Sequence, residues 1–161
     1  MEAQPEVTID DHSAESRAIR ILDSNRIMAV ATNRSDGWPQ NTFVGYVNLG
    51  LLIYFVVYRS SQKLANIQAD GRVALAVGRE PRGLEDLEAV YAGADAAEVT
   101  NEAEKAQAWK MLAERHPNLM GLDLPAPSDA AVMRARCRHV SVLDYRTAFG
   151  RPAAFDVPLR S

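Results

Sequence analysis

The eight residues LLIYFVVY at positions 51–58 leave this chain few folds to choose from. They are rich in β-branched and aromatic side chains, which suit a pleated strand. As a helix the run would fall far short of the ~20 apolar residues that cross a bilayer. Hydrophobicity without alternation predicts a strand covered on both of its faces. A chain that hides both faces of one strand needs layers on either side, and the rest of the sequence supplies them.

Residues 27–34 (IMAVATNR) and 42–49 (TFVGYVNL) read as two strands joined by a hairpin turn at SDG, 35–37. Asn48 and Gly50 then turn the chain into the apolar run. RVALAVG (72–78) and LEAVYAGADAAEV (87–99) follow as strands, the second bent near Gly93. RARCRHVSVLDY (134–145) alternates like a half-exposed strand with Cys137 and His139 on one face, and AAFDVPL (153–159) is a candidate last strand.

Three helices punctuate these strands. Ser13 caps the first, which carries Ala18, Ile21 and Leu22 on one face and ends near Asn25. A short one runs from about 61 to 69, where Asp70-Gly71 stops it. The third opens at Asn101 with Glu104 and stops at Pro117, its Ala108, Met111, Leu112 and Arg115 forming a partly apolar face. Residues 1–12 read as a flexible N-terminal arm, 118–131 as a loop, and 13–161 as one domain. The elements do not repeat strand-helix-strand, which disfavours a doubly wound parallel sheet. The expected fold is mainly β with short helices (α+β), a six- to seven-stranded antiparallel barrel.

Charge narrows the function. With 18 basic against 21 acidic side chains the net charge is −3, without the basic excess that nucleic acid demands. A lone cysteine, Cys137, fits a reduced, cytoplasmic setting, and the acidic opening MEAQPEVTIDDH lacks the form of a secretory signal. Neither nucleic acid nor membrane is an expected partner. His12, His116 and His139 are too scattered for a metal site, and no Gly-x-Gly-x-x-Gly or Walker pattern occurs.

The short helix poses the sharpest question. Arg59 and Lys63 stand at its start, where the helix dipole and unpaired N–H groups favour negative side chains. One reading gives Ser60, Ser61, Lys63 and Arg59 an anion to hold, a phosphate above all. The other has Ser60 as a simple cap and the two cations in water. Trp38, after a turn, reads as a loop anchor or a shield for a cofactor edge, and Trp109 as a packing or dimer contact.

The order PQNTFVGYV (39–47), LLIYFVVYRSSQKLANIQADGRVALAVG (51–78) and a further strand resembles the FMN-binding split barrels of the pyridoxamine 5′-phosphate oxidase superfamily. Its most specific part is an apolar strand, a Ser-x-Lys, the helical LANIQAD and a strand opening RVAL. VSVLDYRTAFG (140–150) is similar to the last barrel strand of that family. The resemblance implies a flavin phosphate gripped by Ser61 and Lys63, flanked by Ser60. Gln62 stands where many members carry arginine, and Arg59 is the nearest substitute. It also implies an isoalloxazine ring bordered by Asn41, Thr42, Phe43, Val44, Val56 and Val57, with Glu88 and Tyr145 approaching from a second subunit of a homodimer. Glu88 replaces the usual amide and Tyr145 the usual tryptophan. Read from the residues alone, these apolar strand positions are equally ordinary core.

The resemblance implies an FMN-dependent oxidoreductase acting on a small molecule, with no catalytic side chain identified. Its alternatives are a non-catalytic flavin- or haem-binding module (sensor or carrier) and a deazaflavin-dependent reductase. The oxidases proper close with an arginine-rich segment ending Leu-Ala-Pro. This chain closes GRPAAFDVPLRS, with Arg146 and Arg151 as the only nearby candidates, which argues against pyridoxamine 5′-phosphate oxidase activity itself.

Overall fold

The computed structural model describes residues 13–117, 127–147 and 150–159. The expected arm at 1–12 and most of the expected loop at 118–131 lie outside the described residues. Seven strands, β1 (Ile27–Asn33), β2 (Pro39–Leu49), β3 (Leu52–Tyr58), β4 (Arg72–Gly78), β5 (Glu88–Glu98), β6 (Ala130–Asp144) and β7 (Ala153–Asp156), form one antiparallel sheet in the order β3-β2-β1-β4-β5-β6-β7. Pairing of β3 with β6 closes the first six into a barrel, and β7 adds to the outer part of β6. Three helices accompany them: α1 (Ala14–Asp23), α2 (Gln62–Ala69) and α3 (Glu102–Arg115).

Alternation builds the interior. Met28 and Val30 of β1, Tyr46 of β2, Ile53, Phe55 and Val57 of β3, Val73, Leu75 and Val77 of β4 and Ala131, Met133 and Ala135 of β6 share one core. Each large apolar side chain buried here contributes about 1.5–3 kcal/mol. Ala18, Ile21 and Leu22 of α1 and Leu64 and Ile67 of α2 join the same core. The opposite face of β3 is covered too. Tyr54, with Val47, Val99 and Val132, packs on Ala108 and Leu112 of α3, and Trp109 joins them as the expected packing contact. That is why the run at 51–58 shows no alternation.

Several local expectations change. β2 begins at Pro39, not 42, because the amide of Arg34 donates to the carbonyl of Trp38 at 3.1 Å and the hairpin stays paired to Asn33 and Pro39. β6 begins at Ala130, inside the expected loop, because Ala130–Arg136 pairs with β3 to close the barrel. Its alanines have weak strand propensity but leave room inside. Cys137 and His139 do not share a face. The pairing steps from Gly93–His139 to Ala94–Cys137, so Arg138 is an extra residue, and this bulge turns Cys137 inward and His139 outward. The predicted bend at Gly93 is the other side of the same irregularity.

Gly71 follows α2 as expected, for a different reason. It has no left-handed conformation; a β-carbon there would lie 2.7 Å from the carbonyl oxygen of Ala96. Trp38 anchors nothing with its ring, which is 74% exposed; only its backbone takes part in the turn.

Candidate functional site

The barrel is split along one seam. β2 and β3 pair only from Tyr46–Phe55 to Leu49–Leu52. Beyond that point β2 continues to Pro39 paired with β1 alone, and β3 continues to Tyr58 paired with β6 alone. Two strand edges therefore face a gap, with backbone groups free to bind something other than each other. On β2 the hydroxyl of Thr42 is buried with no hydrogen-bond partner among the described residues. An unmet buried polar atom costs free energy, and a water or ligand atom bonded to it would remove that cost.

α2 starts at the end of β3 and borders this seam. Ser61, not Ser60, is its cap: the Oγ accepts from the amide of Leu64 at 3.2 Å, leaving its own proton to donate elsewhere. The amides of Gln62 and Lys63 belong to the first turn and have no carbonyl within the helix to reach. Ser60 is exposed beside them. Lys63 is partly buried and makes no ion pair with any described residue; burial lowers its pKa, since a desolvated ammonium is penalised. Arg59 is engaged otherwise. Its guanidinium meets Glu98 Oε1 at 2.7 Å, and its amide donates to the Asp129 carbonyl at 2.8 Å.

A buried amide, which the sequence reading missed, fixes α2 in place. Asn66 Nδ2 donates to Thr32 Oγ1 at 3.0 Å and to Gln40 Oε1 at 3.3 Å, and its Oδ1 accepts from Gln62 Nε2 at 2.8 Å. The helix is thereby tied to β1 and β2 across the seam. The signal was an asparagine between Leu64 and Ile67, where helix interiors disfavour it.

The other expected residues scatter. Asn41 and Phe43 point to the outer face, Phe43 80% exposed, while Thr42 and Val44 alternate inward. Val57 lies in the barrel core and Val56 in the cluster under α3, so their side chains are spent on packing. Tyr145 is half-buried, its amide donating to the Leu87 carbonyl at 3.0 Å. The Glu88 carboxylate is buried in an ion-pair cluster. It is 2% exposed and meets Arg20 at 3.1 Å and Arg79 and Arg146 at 3.6 Å. Three cations compensate its desolvation.

On the outer sheet face, Ala29, Ala31, Ala74, Ala76 and Tyr91 line a groove of about 590 Å³ that reaches Asn41. His139 and Asp156 stand at its rim, Nδ1 to Oδ1 2.6 Å. Taken together, the seam and the start of α2 present an ammonium, a hydroxyl donor and first-turn amides, groups able to hold an anion.

The sequence model for pyridoxamine 5′-phosphate oxidase matches residues 15–144. The chain belongs to that family. Within the family fold, the haem-binding protein of Mycobacterium smegmatis is similar over 89% of this chain and 58% of its own, with TM-score 0.75 and 22% identity. This chain thus spans little more than half of that protein. The FAD-binding protein of Mesorhizobium loti is similar over 78% of this chain and 90% of its own (TM-score 0.64, 19% identity), and General Stress Protein 26 of Bacillus anthracis over 89% and 98% (TM-score 0.68, 17% identity). At these identities the likeness is one of fold. No curated protein matches the sequence.

Proposed function

We propose that this member of the pyridoxamine 5′-phosphate oxidase family is an FMN-dependent oxidoreductase of a small molecule, working as a homodimer in the cytoplasm. One observation carries the reading: Lys63, partly buried and ion-paired with no described residue, opens α2 beside Ser61, while the Thr42 hydroxyl of β2 has no hydrogen-bond partner among the described residues. Those residues fit a flavin phosphate and the polar edge of its ring. Lys63 would neutralise the phosphate, Ser61 and the first-turn amides would donate to it, and Thr42 would gain the partner it lacks. Asn66 would hold α2 at a fixed distance from the strands bordering the ring. Bound flavin supplies the hydride chemistry, and the protein orients it and keeps water away.

The dimer reading is supported by the outer face, where the alanines of β1 and β4 lie beside exposed Tyr91, Phe43 and Ile27. Contiguous apolar surface of this kind marks a contact face. The second reading is a carrier or sensor module, favoured by the haem-binding neighbour. Absorption spectra of the purified protein titrated with FMN and then haem decide between cofactors. Reduction followed by re-oxidation with oxygen or an added acceptor decides between enzyme and module. A flavin that binds near one per chain and cycles supports the oxidoreductase; a haem band, or a flavin that never cycles, supports the module.

A further inference from the structure

Glu98 has no place in the sequence reading, yet it is the one carboxylate joined to Arg59 among the described residues, at 2.7 Å. Both side chains keep access to solvent, 47% for Arg59 and 25% for Glu98. Ion pairs so exposed are worth only ~0.2–1 kcal/mol. Arg59 sits two residues before the Ser61 cap, at the mouth of α2. Its backbone is pinned to Asp129, so only the side chain is free to move.

The cofactor phosphate is a monoester carrying about −1.5 to −2 at neutral pH. Lys63 supplies one positive charge, and Gln62 supplies none. Arg59 is the other cation at this end of β3 among the described residues, and Glu98 holds it.

We infer that Glu98 is a counter-ion that withholds Arg59 from the anion site and releases it to the phosphate when the cofactor binds, so that Glu98 sets the affinity of the site. The inference rests on the flavin reading above. Exchange is favourable because a guanidinium-phosphate pair forms two parallel charge-assisted bonds where the Glu98 pair forms one. It is incomplete because Arg59 must give up its bond to Glu98 before it can reach the phosphate. Glu98 therefore weakens binding, and its removal strengthens it. A residue with a merely structural role would do the reverse.

The test compares FMN with riboflavin, which lacks the phosphate, by fluorescence titration of the full-length wild type, Glu98→Gln, Arg59→Gln and the double variant. Glu98→Gln should tighten FMN binding about three- to tenfold and leave riboflavin unchanged. Arg59→Gln should weaken FMN binding, and adding Glu98→Gln to it should restore nothing. The inference is overturned if Glu98→Gln leaves FMN affinity alone, tightens riboflavin equally, or still acts without Arg59. Should the wild type bind FMN no better than riboflavin, the phosphate reading of α2 and this inference fall together; FMN binding lost on Lys63→Ala but indifferent to Glu98→Gln sinks the inference alone.

Discussion

The side-chain amide of Asn66 donates to the hydroxyl of Thr32 at 3.0 Å and thereby fixes the helix carrying Lys63 to β1, the strand paired with the β2 edge of the open seam. Asn66 is 2% exposed, and its three hydrogen bonds reach Gln62, Thr32 and Gln40. Stability and site geometry thus meet in one residue. Asn66→Ala should cost about 1–3 kcal/mol, since Thr32 and Gln40 lose their partner in a dry place. FMN affinity should fall with it. Urea denaturation and FMN titration of the same variant check both; unchanged affinity would show that α2 holds its position without the amide.

Cys137 gives a pH prediction. Burial pushes its thiol up to about 11, against an unfolded value of about 8.5. The folded chain therefore holds the proton more tightly than the unfolded one. The resulting stabilisation is complete below about pH 8.5 and is lost as pH rises through about 11. Thermal denaturation from pH 8 to 11 should show a steeper fall for wild type than for Cys137→Ala. At pH 8 a thiol reagent should label Cys137 only as fast as the chain opens.

The outer face predicts an assembly. Ala76 of β4 lies in the groove with Ala29 and Tyr91, where a charge could not be paired across a close contact. Ala76→Glu should convert a dimer to a monomer at micromolar concentration in sedimentation equilibrium, with the fold intact by circular dichroism. Monomeric wild type would remove the second subunit from the account.

Much of the fold was legible because strands announce themselves by side-chain type. The run at 51–58 and the RVALAVG strand lie where expected, and the caps Ser13 and Asn101 open α1 and α3. What failed was long-range. Ala130–Arg136 looks like loop because its role is to close the barrel against β3, and no local signal reports a partner as distant in sequence as Tyr58 is from Ala130 or Leu52 from Arg136. The bulge at Arg138 reversed the phase of Cys137 and His139 for the same reason: an extra residue is visible only against the neighbouring strand.

The site was legible at its cations and opaque at their partners. Ser61 and Lys63 could be picked out because charge and cap sit at a recognisable helix start. Glu98, Thr32 and Gln40 come to that start from other strands, and only folding brings them there. Glu88 is opaque in another way: its carboxylate is buried among Arg20, Arg79 and Arg146, three residues that no local pattern links to it.

The most direct test of the account is the FMN affinity of Lys63→Ala against wild type, followed by flavin fluorescence. A charged hydrogen bond lost from the phosphate is worth about 1.5–3 kcal/mol, so binding should weaken about 10- to 150-fold. The melting temperature should hold, because Lys63 pairs with no described residue. Equal affinity in the two proteins, or no FMN binding by either, would contradict the claim that the mouth of α2 is a flavin phosphate site.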